Sequence, residues 1–251
     1  MYGYGFYYDR TYILLIIGML LSVAASAKLK STFAKYRGVR SASGLTGEQA
    51  ARRILQAAGI TDVQVRAVSG SLTDHYDPRT KTVNLSQDIF GHSSLAAVGV
   101  AAHECGHAIQ HAIHYAPLEI RSAIVPLANF GSTLSWPLFF LGLIMSIRPL
   151  ITAGIILFSL AVLFQLVTLP VEINASSRAL RMLETTGILE YNASSRALRL
   201  LSETGILGDN EVRGSKKVLS AAALTYVAAL VSSILQLLRL IILAGGRRND
   251  D

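Results

Sequence analysis

The sequence predicts a mainly α-helical membrane protein, with about four transmembrane helices carrying one small α+β domain. Two observations point there. The 251 residues are 51% hydrophobic and only 16% charged, with a mean hydropathy of +0.44, a balance that suits a bilayer better than bulk water. Four apolar stretches, at about 12–27, 122–147, 149–169 and 218–243, approach or exceed the length needed to cross the hydrocarbon layer. The expected organisation is a tail and first span at 1–27, a polar domain at 28–119, two spans at 120–170, a polar segment at 171–217, and a last span with its tail at 218–251.

In chain order, the first span ends at Ala25-Ser26-Ala27, which resembles a signal-peptidase site. Lys28, Lys30, Lys35, Arg37 and Arg40 follow at once, and such a basic run opposes translocation. A retained anchor is therefore expected. Ten Lys or Arg lie between 28 and 119 and seven between 171 and 217, against Arg10 in the first tail and Arg148 between the middle spans. By the positive-inside bias both polar segments face the cytoplasm of a multi-pass protein of the plasma membrane.

The polar domain opens with a helix. Thr46 and Gln49 form a capping box, Ala50, Ile54, Leu55 and Ala58 form an apolar stripe, and Gly59 closes the end. Val63, Val65 and Ala67 alternate as in a strand, and Asp77-Pro78-Arg79-Thr80 marks the turn of a hairpin joining 71–76 to 81–86. An exposed edge there could take an extended peptide as an added strand, which makes His75 and Tyr76 candidate substrate or oxyanion groups. Ordinary surface structure is the simpler reading of both.

Ser93 and Ser94 can cap a second helix, alanine-rich and free of proline from Leu95 to Ala116, with Pro117 as its expected stop. It carries His103-Glu104-Cys105-Gly106-His107. Histidines four residues apart share one helical face and can converge on one metal, and the glutamate beside the first can hold the water that the metal activates. This is the HExxH pattern of zinc peptidases, and it makes the polar domain zincin-like. His103, His107 and His111 span about 12 Å of helix rise, too far for one ion. His111 and His114 are expected to be solvated or supporting groups, and the third ligand must come from elsewhere. Cys105 is the sole cysteine, so no internal disulfide forms; a buried helix position is its expected role.

Glu172 follows Leu169-Pro170-Val171 just past the third span, on the same side as the paired histidines, and is well placed to complete a His, His, Glu zinc site. The alanine-rich HExxH helix continuing as Gly-His-Ala-Ile-Gln, Thr73-Asp74-His75-Tyr76-Asp77-Pro78 before it, and Leu-Pro-Val-Glu and 221–229 (AAALTYVAA) after it, together resemble the neutral zinc metallopeptidases of bacterial membranes, the YugP type. The resemblance implies a membrane-bound peptidase with Zn2+ on His103, His107 and Glu172 and with Glu104 as catalytic base. One feature departs from the family pattern. Residues 172–189 recur at 190–207 with 14 of 18 positions identical, so Glu190 is an alternative third ligand. Glu172 is favoured because it alone follows Leu-Pro-Val.

The expected reaction is hydrolysis of protein or peptide substrates at the cytoplasmic membrane surface. Asn174 or Ser176 could hydrogen-bond a ligating histidine and fix its tautomer, and Arg178 is a further oxyanion candidate. An intramembrane protease that takes an aspartate from a later span is disfavoured, because the third and fourth apolar stretches contain none. The non-enzymatic alternative is an inactive relative acting as a zinc-binding membrane scaffold or interaction protein, which the duplication favours. Nucleic acid is excluded as a partner despite a pI near 9.7, because no basic and aromatic interleaving appears. Small residues at Gly131 and Ser135, and at Gly142 and Ser146, allow close packing within a chain or between copies in a homo-oligomer.

Overall fold

The structure is a computed structural model that describes residues 11–188 and 211–246. The second copy of the repeat, Glu190 with it, lies outside the described residues. Seven helices and three strands are described: α1 (Tyr12–Arg37), α2 (Gly47–Ala57), β1 (Gln64–Val68), β2 (His75–Asp77), β3 (Thr82–Ser86), α3 (Gln87–Phe90), α4 (Leu95–Ala112), α5 (Ala116–Met145), α6 (Arg148–Thr185) and α7 (Glu211–Gly246). Four of them, α1, α5, α6 and α7, are long and apolar enough to cross a membrane. The protein is thus mainly α, with a small α+β part.

The chain divides into two compact units. The first comprises Met1–Ser26, Arg121–Thr168 and Thr225–Asp251. Its helices meet through small residues. A Cβ on Gly131 would lie 2.8 Å from the Leu157 carbonyl oxygen, and one on Gly142 would lie 2.7 Å from the Ile151 nitrogen, so the backbones of α5 and α6 touch. Gly131, Ser135 and Gly142 thus pack inside one chain, whereas Ser146 is exposed beyond the end of α5. Ser232 Oγ donates to the Gly18 carbonyl at 2.8 Å and lies 3.0 Å from Ser22 Oγ, tying α7 to α1. Ile13, Leu20, Phe130, Ile144 and Ile156 remain exposed, as a surface facing acyl chains requires.

The second unit comprises Ala27–Ile120 and Leu169–Leu224. Its sheet has the order β1-β3-β2, with β1 parallel and β2 antiparallel to β3. The expected hairpin is β2 and β3, with Tyr76 opposite Val83. Thr46 and Gln49 form the capping box of α2, and Gly59 follows with φ +72°, a left-handed closure that suits glycine. Ile54, Leu55, Val83, Leu85, Ile89, Leu95 and Val98 fill one buried core with α4 at its centre. In α6, Val171, Ala175, Ala179 and Leu183 are all fully buried. Their spacing of four makes one stripe of that helix part of the core.

The expectation about Pro117 fails. Pro117 does not end α4. That helix stops at Ala112, His114 takes a left-handed φ of 52°, and the Tyr115 N–H donates to the Gln110 carbonyl at 2.9 Å. This is the six-to-one bond of a Schellman closure, with histidine where glycine is usual. Pro117 instead sits in the first turn of α5, where an N–H would have no intrahelical partner anyway. Nor does Pro170 separate a span from a new helix. α6 runs through it at the loss of one backbone bond, so Glu172 lies within a continuous helix.

Candidate metal centre

The site is built where α4 crosses α6. Ser94 caps α4 by accepting the Ala97 N–H, and the following helix is so rich in alanine that another backbone can come close. At Gly106 it does. A Cβ there would fall 2.5 Å from the Ala175 carbonyl oxygen, well inside van der Waals contact, so this position admits only glycine without moving α6. Gly106 is the residue inside the motif that lets the carboxylate of α6 reach the histidines of α4.

His103, His107 and Glu172 converge, with ligand atoms within 4.8 Å of one another. Glu172 Oε2 lies 3.2 Å from His103 Nε2 and 3.6 Å from His107 Nε2. Tetrahedral zinc ligands at 2.0–2.1 Å stand roughly 3.3 Å apart. Two imidazoles and one carboxylate are also the donor set of a catalytic zinc site with one position left for water. The residues therefore fit the ion. Burial separates this arrangement from a solvated polar face: Glu172 is 2% exposed, Glu104 7% and His107 9%.

Hydrogen bonds decide which ring nitrogens are free. Gln110 Nε2 donates to the Val171 carbonyl at 2.9 Å and to Asn174 Oδ1 at 3.0 Å, which turns Gln110 Oε1 toward His107 Nδ1 at 3.0 Å. An amide oxygen only accepts, so Nδ1 carries the proton and Nε2 keeps its lone pair for a metal. Ser176 Oγ stands 3.2 Å from His103 Nδ1 and can accept from it in the same way. Arg178 Nε donates to Asn174 Oδ1 at 2.7 Å, and its guanidinium lies 5.8 Å from the Tyr115 ring centroid. Arg178 is thus engaged inside the protein. Asn174 does not touch a histidine directly but holds the glutamine that does.

Burial alone would lower the His107 pKa, but the hydrogen bond it donates to Glu172 and the charges of Glu104 and Glu172 outweigh it and raise the value. Burial, with the Glu104 charge adding to it, pushes the Cys105 thiol well above its usual range. Its Sγ donates to the Ala51 carbonyl, so Cys105 packs rather than reacts.

The other candidates lie elsewhere. His75 is exposed, with Nδ1 2.8 Å from the Thr73 carbonyl and Nε2 3.2 Å from Asn84 Nδ2. The Tyr76 hydroxyl lies 2.9 Å from His111 Nδ1, and burial, with the charges of Asp62 and Asp77, pushes its pKa up to about 12. Among the described contacts neither residue reaches the cluster. Tyr76 and His111 instead line a cavity of about 370 Å3 with Asp62 and Lys81. His114 pairs with Glu119 at 2.9 Å. Gln110 is the group the sequence reading missed, and its position three residues after His107 on the same helical face was the available signal.

Comparison with known proteins agrees with this chemistry. A protein-family model described as "Putative neutral zinc metallopeptidase" matches residues 11–190 and 188–245, the overlap falling where the two copies of the repeat join. A relative described as "Putative membrane protease YugP", from Bacillus subtilis (strain 168), is 44% identical over 241 residues, covering 96% of this chain and 99% of the relative. No solved structure matches.

Proposed function

From the premise that the chain belongs to this neutral zinc metallopeptidase family, we propose that it is a multi-pass membrane zinc endopeptidase hydrolysing peptide bonds at the cytoplasmic membrane surface. In this reading His103, His107 and Glu172 hold the ion and Glu104 is the base. The observation that carries it is the buried convergence of His103, His107 and Glu172 with Glu104 on the same helix. An isolated buried cluster of this kind would carry an uncompensated desolvation cost; a divalent cation offsets it.

Zinc, when bound, supplies Lewis acidity that polarises the scissile carbonyl and lowers the pKa of the attacking water. The rest is done by the chain. Glu104 takes the water proton and returns it to the leaving amine, the general-base and general-acid halves of one cycle. Gln110 and Ser176 hold the imidazoles in the tautomers that leave Nε2 free, Asn174 holds Gln110, and Arg178 holds Asn174. Strand β2, at the edge of the sheet and packed beside α4, offers the backbone along which an extended peptide can lie. The excess of basic residues in 28–119 and 171–217 supports a cytoplasmic side for both segments, by the positive-inside bias.

The test is cleavage of an unfolded protein by the detergent-purified chain. Glu104→Gln keeps zinc and loses activity by about 10²- to 10⁴-fold, as removal of a general base does. The duplicated segment supports a second reading, a zinc-binding scaffold without activity. It takes over if wild type and Glu104→Gln are indistinguishable across substrates.

A further inference from the structure

Away from the metal cluster, the second unit carries a groove of about 830 Å3 between the polar end of α1 and the first turns of α7. Lys28 and Lys35 from α1 and Arg213, Lys216 and Lys217 from α7 line it, and among the described residues no acidic side chain does. All five cations are exposed. None forms an ion pair among the described residues, whereas Arg37, Arg52, Arg79 and Lys81 of the same unit each meet an aspartate or glutamate. Five unneutralised cations around one concavity make a strong local positive potential.

A second observation points to a ligand. Tyr36 forms part of the groove wall and is 2% exposed, yet its hydroxyl has no hydrogen-bond partner among the described residues. Buried hydroxyls are ordinarily paired. The chemistry also changes along the groove. On α7, Arg213, Lys216, Lys217 and Ser220 give way to Ala221 and Leu224 in the direction in which that helix continues into its apolar stretch, and Lys28 of the antiparallel α1 stands at that apolar end.

We propose that this groove binds an anionic phospholipid, its phosphate among the five cations and the start of an acyl chain along Ala221 and Leu224. A basic pocket between helices that continue into the bilayer is the expected form of such a site. A free anion would not use the apolar wall. The groove also touches the helix that carries the histidines. Leu95 and Tyr36 both abut Gly214, where a Cβ would lie 2.8 Å from Leu95 Cδ1 and 2.9 Å from Tyr36 Cε1. Ser215 Oγ donates to the Leu95 carbonyl at 3.1 Å. A bound lipid therefore braces α1 and α7 against the start of α4, about two turns before His103. The inference does not depend on the chain being an active peptidase.

The experiment is native mass spectrometry of the full chain in neutral detergent, titrated with phosphatidylglycerol, with phosphatidylcholine and inorganic phosphate as separate arms. Phosphatidylglycerol binds at least tenfold more tightly than phosphatidylcholine, and inorganic phosphate does not displace it. Each cation contributes about a fivefold factor, so Arg213→Gln with Lys216→Gln and Lys217→Gln weakens phosphatidylglycerol binding on the order of a hundredfold. Lys28→Gln with Lys35→Gln, on the opposite wall, weakens it roughly 25-fold and serves if the triple variant does not fold. Arg53→Gln with Arg66→Gln, outside the groove, leaves it unchanged. Equal binding of the two lipids, or equal losses in groove and control variants, overturns the proposal. Displacement by inorganic phosphate reassigns the groove to a free anion, and displacement by equimolar polyglutamate to an acidic protein partner.

Discussion

Helix α4 holds two histidine pairs of identical spacing that share His107, and only one of them meets a carboxylate. His103 and His107 stand four apart, as do His107 and His111. The first pair faces α6 and meets a carboxylate 3.2 Å and 3.6 Å away. His111, one turn on, faces the hairpin and meets the Tyr76 hydroxyl. Spacing puts imidazoles on one helical face, but the element packed opposite decides what they do. The difference is made at Gly106, which brings α6 to contact, and at Gln110, which spans from α4 to the Val171 carbonyl.

This contrast can be broken at either end. The largest effect is expected for Gly106→Ala. The added methyl clashes with the Ala175 carbonyl, so α6 shifts, zinc affinity falls by roughly a hundredfold or more, and stability drops by about 1–3 kcal/mol; isothermal titration and thermal unfolding read the two. Unchanged zinc affinity would mean that close helix approach does not position Glu172. Gln110→Ala is next. It frees His107 Nδ1 and removes the side-chain link from α4 to the Val171 carbonyl and Asn174, lowering zinc affinity roughly 10- to 100-fold while leaving the ligand set intact. Competition with a chromogenic chelator measures this. His111→Ala is the smallest: zinc affinity stays within about twofold, and the melting temperature falls by what one part-buried hydrogen bond contributes, about 1 kcal/mol. Loss of zinc from that variant would erase the distinction between the two pairs.

Much of the architecture was legible because it follows from periodicity and composition. The four apolar stretches became the four long apolar helices, and Thr46, Gln49 and Gly59 announced α2 through local hydrogen-bonding chemistry that needs no tertiary contact. The paired histidines and Glu104 were legible for the same reason, and Glu172 because it sits just past an apolar stretch. The site's remaining parts depend on which helix lies opposite, and the chain does not write that locally. Gly106 and Gln110 looked like ordinary helical residues, because neither shows locally that α6 lies against it. Pro117 misled: it was read as a stop but opens a helix, because the closure is made earlier by His114 and the Tyr115 N–H. Of the two residues expected beside a ligating histidine, Ser176 stands next to His103 and Asn174 acts through Gln110, an indirect link that spacing alone does not reveal.

The central claim is that the first copy of the repeat, through Glu172, completes the metal site. Zinc content of the purified chain, measured by inductively coupled plasma mass spectrometry for wild type, Glu172→Gln and Glu190→Gln, tests it most directly. About one zinc per chain in wild type and in Glu190→Gln, with loss from Glu172→Gln, is the predicted result. Retention of zinc by Glu172→Gln together with its loss from Glu190→Gln would contradict the claim and assign the site to the second copy.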